Sequence, residues 1–185
     1  MVNAANMPTF LKPVFTQVIA QVQRAYAEVG LLILFLDQSK VDMLTGEQAD
    51  HNINSDMSFV TSSDGWIGLA TVLKNEPCSG RGFCKFLATY RGGTTVEQII
   101  TQWITLMMHE IAHNTGMGHT NGGVGNPSIV NGLPGIWSPS DPGTAYMRKQ
   151  FSGVPVKIPG ATPGPGPTPN PPEDSLQKQV DDLRV

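Results

Sequence analysis

Charge is scarce in this chain. Only 15% of its 185 residues are Asp, Glu, Lys or Arg, and the twelve Lys and Arg form no cluster. With histidines neutral, the net charge is −3. Such a chain offers no basic face to a phosphate backbone or an anionic membrane, which argues against nucleic acid as a partner. Long apolar runs are missing too. The longest, Leu31 to Leu36, is strand-sized and far short of the roughly 18–20 residues of a membrane span. The opening MVNAANMPTFLKPVFTQVIAQVQRAY has no basic segment ahead of an apolar one, so it does not read as a signal peptide. Either export uses another route or a leader was removed and Met1 added. Cysteine is limited to Cys78 and Cys84, in CSGRGFC. Their spacing is open to a disulfide, two free thiols or half a metal site. Composition is otherwise ordinary, and 39% hydrophobic residues suffice for one domain with a real core.

Histidine is also rare, yet three of the four lie within eleven residues. HEIAHNTGMGH, residues 109 to 119, contains His109, His113 and His119, with Glu110 after the first. Four residues apart on a helix, His109 and His113 project from one face, one turn apart. Two imidazoles so placed can hold one metal ion, and the Glu110 carboxylate can reach a water on it. Gly116 lets the backbone take positive φ and leave the helix. The turn after it can return His119 as a third ligand. Three neutral imidazoles suit Zn²⁺ and leave a fourth position open, the mark of catalytic rather than structural zinc. A fourth histidine, His51, sits among polar residues and reads as a surface side chain.

HExxHxxGxxH is the zinc signature of the metzincin metallopeptidases, and the chain resembles that clan over about residues 60 to 150. The wording HNTGMGHT is most similar to the adamalysin, or reprolysin, branch, which favours HNLGMxHD; Thr120 stands where that branch carries Asp. The resemblance implies an α+β fold: a mixed twisted sheet, a backing helix, an active-site helix and a small irregular C-terminal subdomain below the cleft. It implies Glu110 as general base and one catalytic zinc on His109, His113 and His119. It also implies a tight turn carrying a methionine beneath the metal. Met147, in TAYMRK, is the only methionine after the motif and takes that role as a hydrophobic floor. Some metzincins place a tyrosine two residues after this methionine; Tyr146 precedes Met147 by one, so that role is not carried over. Export of such an enzyme suits oxidising conditions and favours a Cys78–Cys84 disulfide. The protein is then expected outside the cell.

The chain in order gives the elements that place the motif. Leu11 to Glu28 repeats apolar residues at helical spacing, with Pro13 in its first turn and Gly30 after its end. Leu31 to Leu36 reads as a buried strand. Residues 37 to 58 are polar; Asp37, Asp42, Asp50 and Asp56 match no calcium loop and read as a solvated excursion. Met57 to Thr61 reads as a short strand. Trp66 to Leu73 reads as another. By resemblance it is the sheet edge beside bound substrate, with Gly68, Leu69 and Ala70 pairing with an extended peptide. CSGRGFC reads as a loop and Phe83 to Tyr90 as a strand. Thr94 and Glu97 form a capping box opening a long helix, whose apolar stripe from Val96 to Ile111 runs into the motif.

Domain limits follow. Residues 1–158 form the catalytic domain, its upper part about 10–118 and its lower part about 119–158. Residues 159–173 are a linker, since seven prolines in the fourteen residues 159–172 exclude helix and sheet. Residues 174–185 form a short helical tail with Leu176, Val180 and Leu183 on one face, through which an oligomer or larger assembly could form. Three functional classes compete: a zinc endopeptidase acting on protein or peptide, a zinc amidase cleaving a non-protein amide such as a cell-wall crosslink, and a catalytically silent zinc module. The intact Glu110 favours the first two.

Overall fold

The computed structural model describes residues 2–35, 53–73, 80–120, 123–127, 137 and 140–151. They build a mixed α+β domain with a four-stranded mixed sheet. The strands are β1 (Val2–Asn3), β2 (Ile53–Val60), β3 (Gly68–Ala70) and β4 (Gly80–Leu87). Three α-helices accompany them: α1 (Phe15–Glu28), α2 (Val96–Asn114) and α3 (Pro142–Gln150). The sheet order is β1-β2-β4-β3, parallel except for β3, which runs antiparallel to β4 at the edge.

Alternation explains the central pair. In β2, Met57 and Phe59 are buried while Asp56, Ser58 and Val60 are less so; in β4, Cys84 and Phe86 are buried between Phe83, Lys85 and Leu87. Register sets Met57 against Cys84 and Phe59 against Phe86. The resulting apolar face meets both large helices: the Phe59 ring lies 6.0 Å from Phe15 of α1 and 6.0 Å from Trp103 of α2. The Tyr26 hydroxyl of α1 donates to the Met108 carbonyl of α2 at 2.6 Å. Helix α1 is thereby fixed against the turn just before His109.

Helix α2 carries the motif, and its ends are defined by local chemistry. At its start Thr95 Oγ1 accepts from Gln98 N–H at 3.2 Å, while Gln98 Oε1 accepts from Thr95 N–H at 3.2 Å and Thr94 N–H at 3.0 Å. The box therefore lies one residue later than the expected Thr94–Glu97 pair, because the Gln98 amide can serve two backbone donors at once. At its end Met117 N–H reaches Ala112 O at 3.1 Å and Gly116 N–H reaches His113 O at 3.0 Å. These are the two bonds of a Schellman turn, and Gly116 supplies its positive φ of 87°.

Several sequence expectations are corrected. The strand expected from Met57 starts earlier: residues 53 to 56 belong to β2 rather than to a polar excursion, with Asp56 and Ser58 alternating with the buried Met57 and Phe59. Gly80 to Cys84 continues β4 rather than forming a loop. Leu31 to Phe35 forms no strand; Leu32 and Leu34 are exposed, and the Ile33 carbonyl accepts from Gln23 Nε2 of α1 at 2.8 Å. That apolar run packs beside α1 instead of entering the sheet. Leu36, His51, the linker and the helical tail lie outside the described residues, as do Asp37, Asp42 and Asp50.

The expected disulfide is also corrected. Cys84 is a free buried thiol, donating to Asn114 Oδ1 at 3.3 Å and lying 3.5 Å from Ser55 Oγ; Cys78 lies outside the described residues. Strand alternation turns Cys84 into the core, where burial pushes its thiol up to about 12. At pH 8 only about one thiol in ten thousand would then be thiolate, the reactive form. Iodoacetamide should leave Cys84 unmodified in the folded protein and alkylate it in denaturant, with peptide mass as the readout. Rapid native labelling would contradict this burial.

Candidate metal centre

The Schellman turn folds the chain back over the end of α2 and returns His119 to the other two histidines. One ligand atom from each of His109, His113 and His119 lies within 4.8 Å of the others. The His109 and His119 rings stack with centroids 5.3 Å apart, and His113 meets each of the other two edge-on. His109 and His113 are buried; His119 is exposed.

Backbone carbonyls orient the two buried rings. His109 Nδ1 lies 2.6 Å from Val124 O, and His113 Nδ1 lies 2.7 Å from Met117 O. A carbonyl only accepts, so each Nδ1 carries the proton and donates it. Each neutral ring then keeps its lone pair on Nε2. Those two nitrogens lie 3.0 Å apart. Burial holds His109 down to about 4 and lowers His113, outweighing the backbone bonds that would raise them. Near pH 7 both rings are therefore neutral, and two lone pairs confront each other with no proton between them. That is unfavourable unless a Lewis acid sits between. Two imidazole nitrogens about 2.0–2.1 Å from one tetrahedral zinc would lie about 3.3–3.4 Å apart, close to the separation found. The donor set therefore fits a metal ion.

Glu110 is buried on the adjoining side of α2, where desolvation pushes its carboxyl up to about 8. It lies against Gly68 of β3. A Cβ added at Gly68 would overlap Glu110 Oε1 and come 2.8 Å from Leu106 Cδ1. Glycine here is what allows the edge strand to approach the carboxylate. Beyond β3, Leu73 N–H donates to His113 O at 3.2 Å, and Asn114 Nδ2 donates to Thr71 O at 2.7 Å and Phe83 O at 3.2 Å. These bonds tie the end of α2 to the segment that follows β3 and to β4. Among the described residues β3 has one strand partner, so its outer edge faces away from the sheet, with Leu69 exposed. The structure thus brings Gly68 to Glu110 and sets Leu69 and Ala70 along the same edge.

Met147 departs from expectation. It lies within α3, not in a tight turn, and is fully buried, with Thr115 Oγ1 donating to its Sδ at 3.4 Å. The Asp141-Pro142 pair explains the difference: Asp141 caps α3 by accepting from Gly143 N–H, and Pro142 suits a first turn. The sequence carried this signal, but the surrounding Gly, Pro and Ser obscured it. Tyr146, one residue earlier, donates its hydroxyl to Thr115 O at 2.9 Å.

Three contributors were not picked out from the sequence: Val124, Met117 and Asp141. The first two act through main-chain carbonyls, which side-chain identity does not reveal. Fold and site together define a mixed α+β protein with a three-histidine cluster able to bind a metal ion. No family model, curated protein or solved structure matches the chain. Among the described residues no helix is long and apolar enough to cross a membrane.

Proposed function

We propose that this protein is a zinc-dependent endopeptidase of the metzincin kind, with Glu110 as its general base. The observation that carries the proposal is the pair of neutral, carbonyl-anchored imidazoles whose Nε2 atoms converge to 3.0 Å, next to a buried carboxyl. His109, His113 and His119 would hold the ion. Three imidazoles favour zinc over the oxygen-seeking calcium and magnesium. When bound, zinc supplies Lewis acidity, polarising a carbonyl and making a water acidic enough to attack near neutral pH.

The remaining steps belong to the chain. Glu110 takes the proton from the attacking water on a carboxylate oxygen and later gives it to the departing amine. Its buried setting suits proton transfer near neutrality. The free edge of β3 receives an extended peptide by strand addition, main chain to main chain, which places a peptide bond beside Glu110 through the Gly68 contact. Met147 packs behind the end of α2 and helps to hold Thr115, two residues beyond His113.

The test is metal content together with cleavage of an unfolded protein. One zinc per chain is expected, with cleavage abolished by a chelator and restored by zinc. Zinc-restored hydrolysis of a peptidoglycan amide without cleavage of any protein would replace the peptidase reading with the amidase one. Chelator-resistant proteolysis would remove zinc from the proposal.

A further inference from the structure

Asp141 is a buried acidic residue outside the motif, and both its oxygens are engaged. Oδ1 accepts from Gly143 N–H at 2.7 Å, capping α3. Oδ2 accepts from Val124 N–H at 2.8 Å, in a different segment of the chain. Val124 belongs to a short 3-10 turn, Gly123–Gly125, and its carbonyl receives His109 Nδ1 at 2.6 Å. We infer that Asp141 is a positioning residue for the metal centre: its carboxylate locks the Val124 backbone, and Val124 in turn fixes the orientation and tautomer of His109.

The coupling is mechanical. The N–H and C=O of Val124 belong to different peptide units, so little polarisation passes from one bond to the other. What the carboxylate supplies is a fixed place for Val124 between α3 and His109. Gly123 is shaped to this end. Its φ is +60°, and a Cβ added there would overlap the Asp141 carboxylate. Thr120 N–H, donating to Gly125 O at 2.8 Å, ties the other end of the turn to the segment bearing His119. One short turn thus touches the surroundings of two candidate ligands, and Asp141 anchors it to a helix. Helix α3 has its own attachments, Tyr146 to Thr115 O and Thr115 to Met147, so it does not depend on Asp141 alone for docking.

Outer partners that hold a ligating imidazole typically contribute 10–100-fold to metal affinity. The inference rests on reading the three histidines as a metal site, and the test separates the two claims. Asp141→Asn and Asp141→Ser both keep a helix cap, since Asn and Ser are good N-cap residues. Neither can serve both N–H groups: Asn has one acceptor oxygen, and the Ser hydroxyl is too short to span them. Zinc affinity is measured by chelator competition, the visible spectrum of the Co²⁺-loaded protein reports ligand geometry, and thermal melts monitor folding. Asp141→Asn, the nearly isosteric change, should lose 10–100-fold in zinc affinity and alter the cobalt spectrum while its metal-free melt stays cooperative. Asp141→Ser should do the same. A cap-only role would predict wild-type affinity and spectrum in both variants, and that outcome overturns the inference. A wild-type chain that takes up neither zinc nor cobalt overturns the metal reading itself, and the inference with it.

Discussion

Glu110→Gln should bind zinc as the wild type does and lose 10²- to 10⁴-fold in cleavage rate, the usual contribution of general acid–base catalysis. The substitution preserves shape and removes only the ability to take a proton. Folding should not suffer. Burial pushes the metal-free Glu110 carboxyl up to about 8, so near pH 7 the wild-type side chain is already largely neutral, and a neutral amide replaces a neutral acid. A second variant separates the base from its placement. Gly68→Ala would drive a methyl group into the Glu110 carboxylate, so it should lower cleavage while leaving zinc content unchanged. Its loss should not add fully to that of Glu110→Gln, because both act through one carboxylate. Wild-type turnover by zinc-loaded Glu110→Gln, in an assay that a chelator silences, would remove Glu110 from the proton-transfer role.

The parts of the fold legible in the sequence are those with period and punctuation. Helix α2 announces itself through a threonine-led cap, an apolar stripe and the Gly116 stop, and its end matches the glycine within one turn. The convergence of His109, His113 and His119 follows from helical spacing plus that stop. The edge position of Gly68–Ala70 was legible only through the resemblance, yet it stands in the sheet order. Less visible was the first half of β2, where Ser55 and Asp56 look like loop residues ahead of the strand read from Met57. Leu31 to Phe35 shows the converse: β-branched and aliphatic content suits a strand, but pairing is a tertiary decision. Cys84 illustrates a further limit. Sequence gives the spacing of two cysteines; the alternation that buries Cys84 in β4 shows only once the strand is placed. The carbonyls of Val124 and Met117, which hold the imidazoles, leave no trace in side-chain identity.

His113→Ala should reduce zinc affinity by more than the roughly 100-fold that marks the loss of an outer partner, because it removes a ligand outright. It also deprives the Met117 carbonyl of its buried donor, a further cost of about 1–3 kcal/mol to the fold. The pH behaviour of the metal-free wild type follows from the same buried groups, and the signs differ. His109 is held down to about 4 against 6.5 unfolded. Between those values the unfolded chain binds more protons, so this contribution to stability is complete above about pH 6.5 and is lost as pH falls toward 4. Glu110 is raised from 4.5 to about 8. Between those values the folded chain binds more protons, so its contribution is present below pH 4.5 and is lost as pH rises toward 8. From 4.5 to 6.5 the two slopes oppose each other. From 6.5 to 8 the slope from His109 and His113, both lowered by burial, fades and the glutamate slope persists, so the metal-free protein should lose about 1 kcal/mol of stability over that interval. Urea unfolding at pH 6.5 and pH 8 measures it, and Glu110→Gln should abolish the difference. Zinc should abolish it too, because a dication beside the carboxyl favours its ionised form while binding to the folded state adds stability of its own. A metal-free wild type more stable at pH 8 than at pH 6.5 would show that Glu110 is not held neutral by burial, and would weaken the case for a proton acceptor tuned to neutral pH.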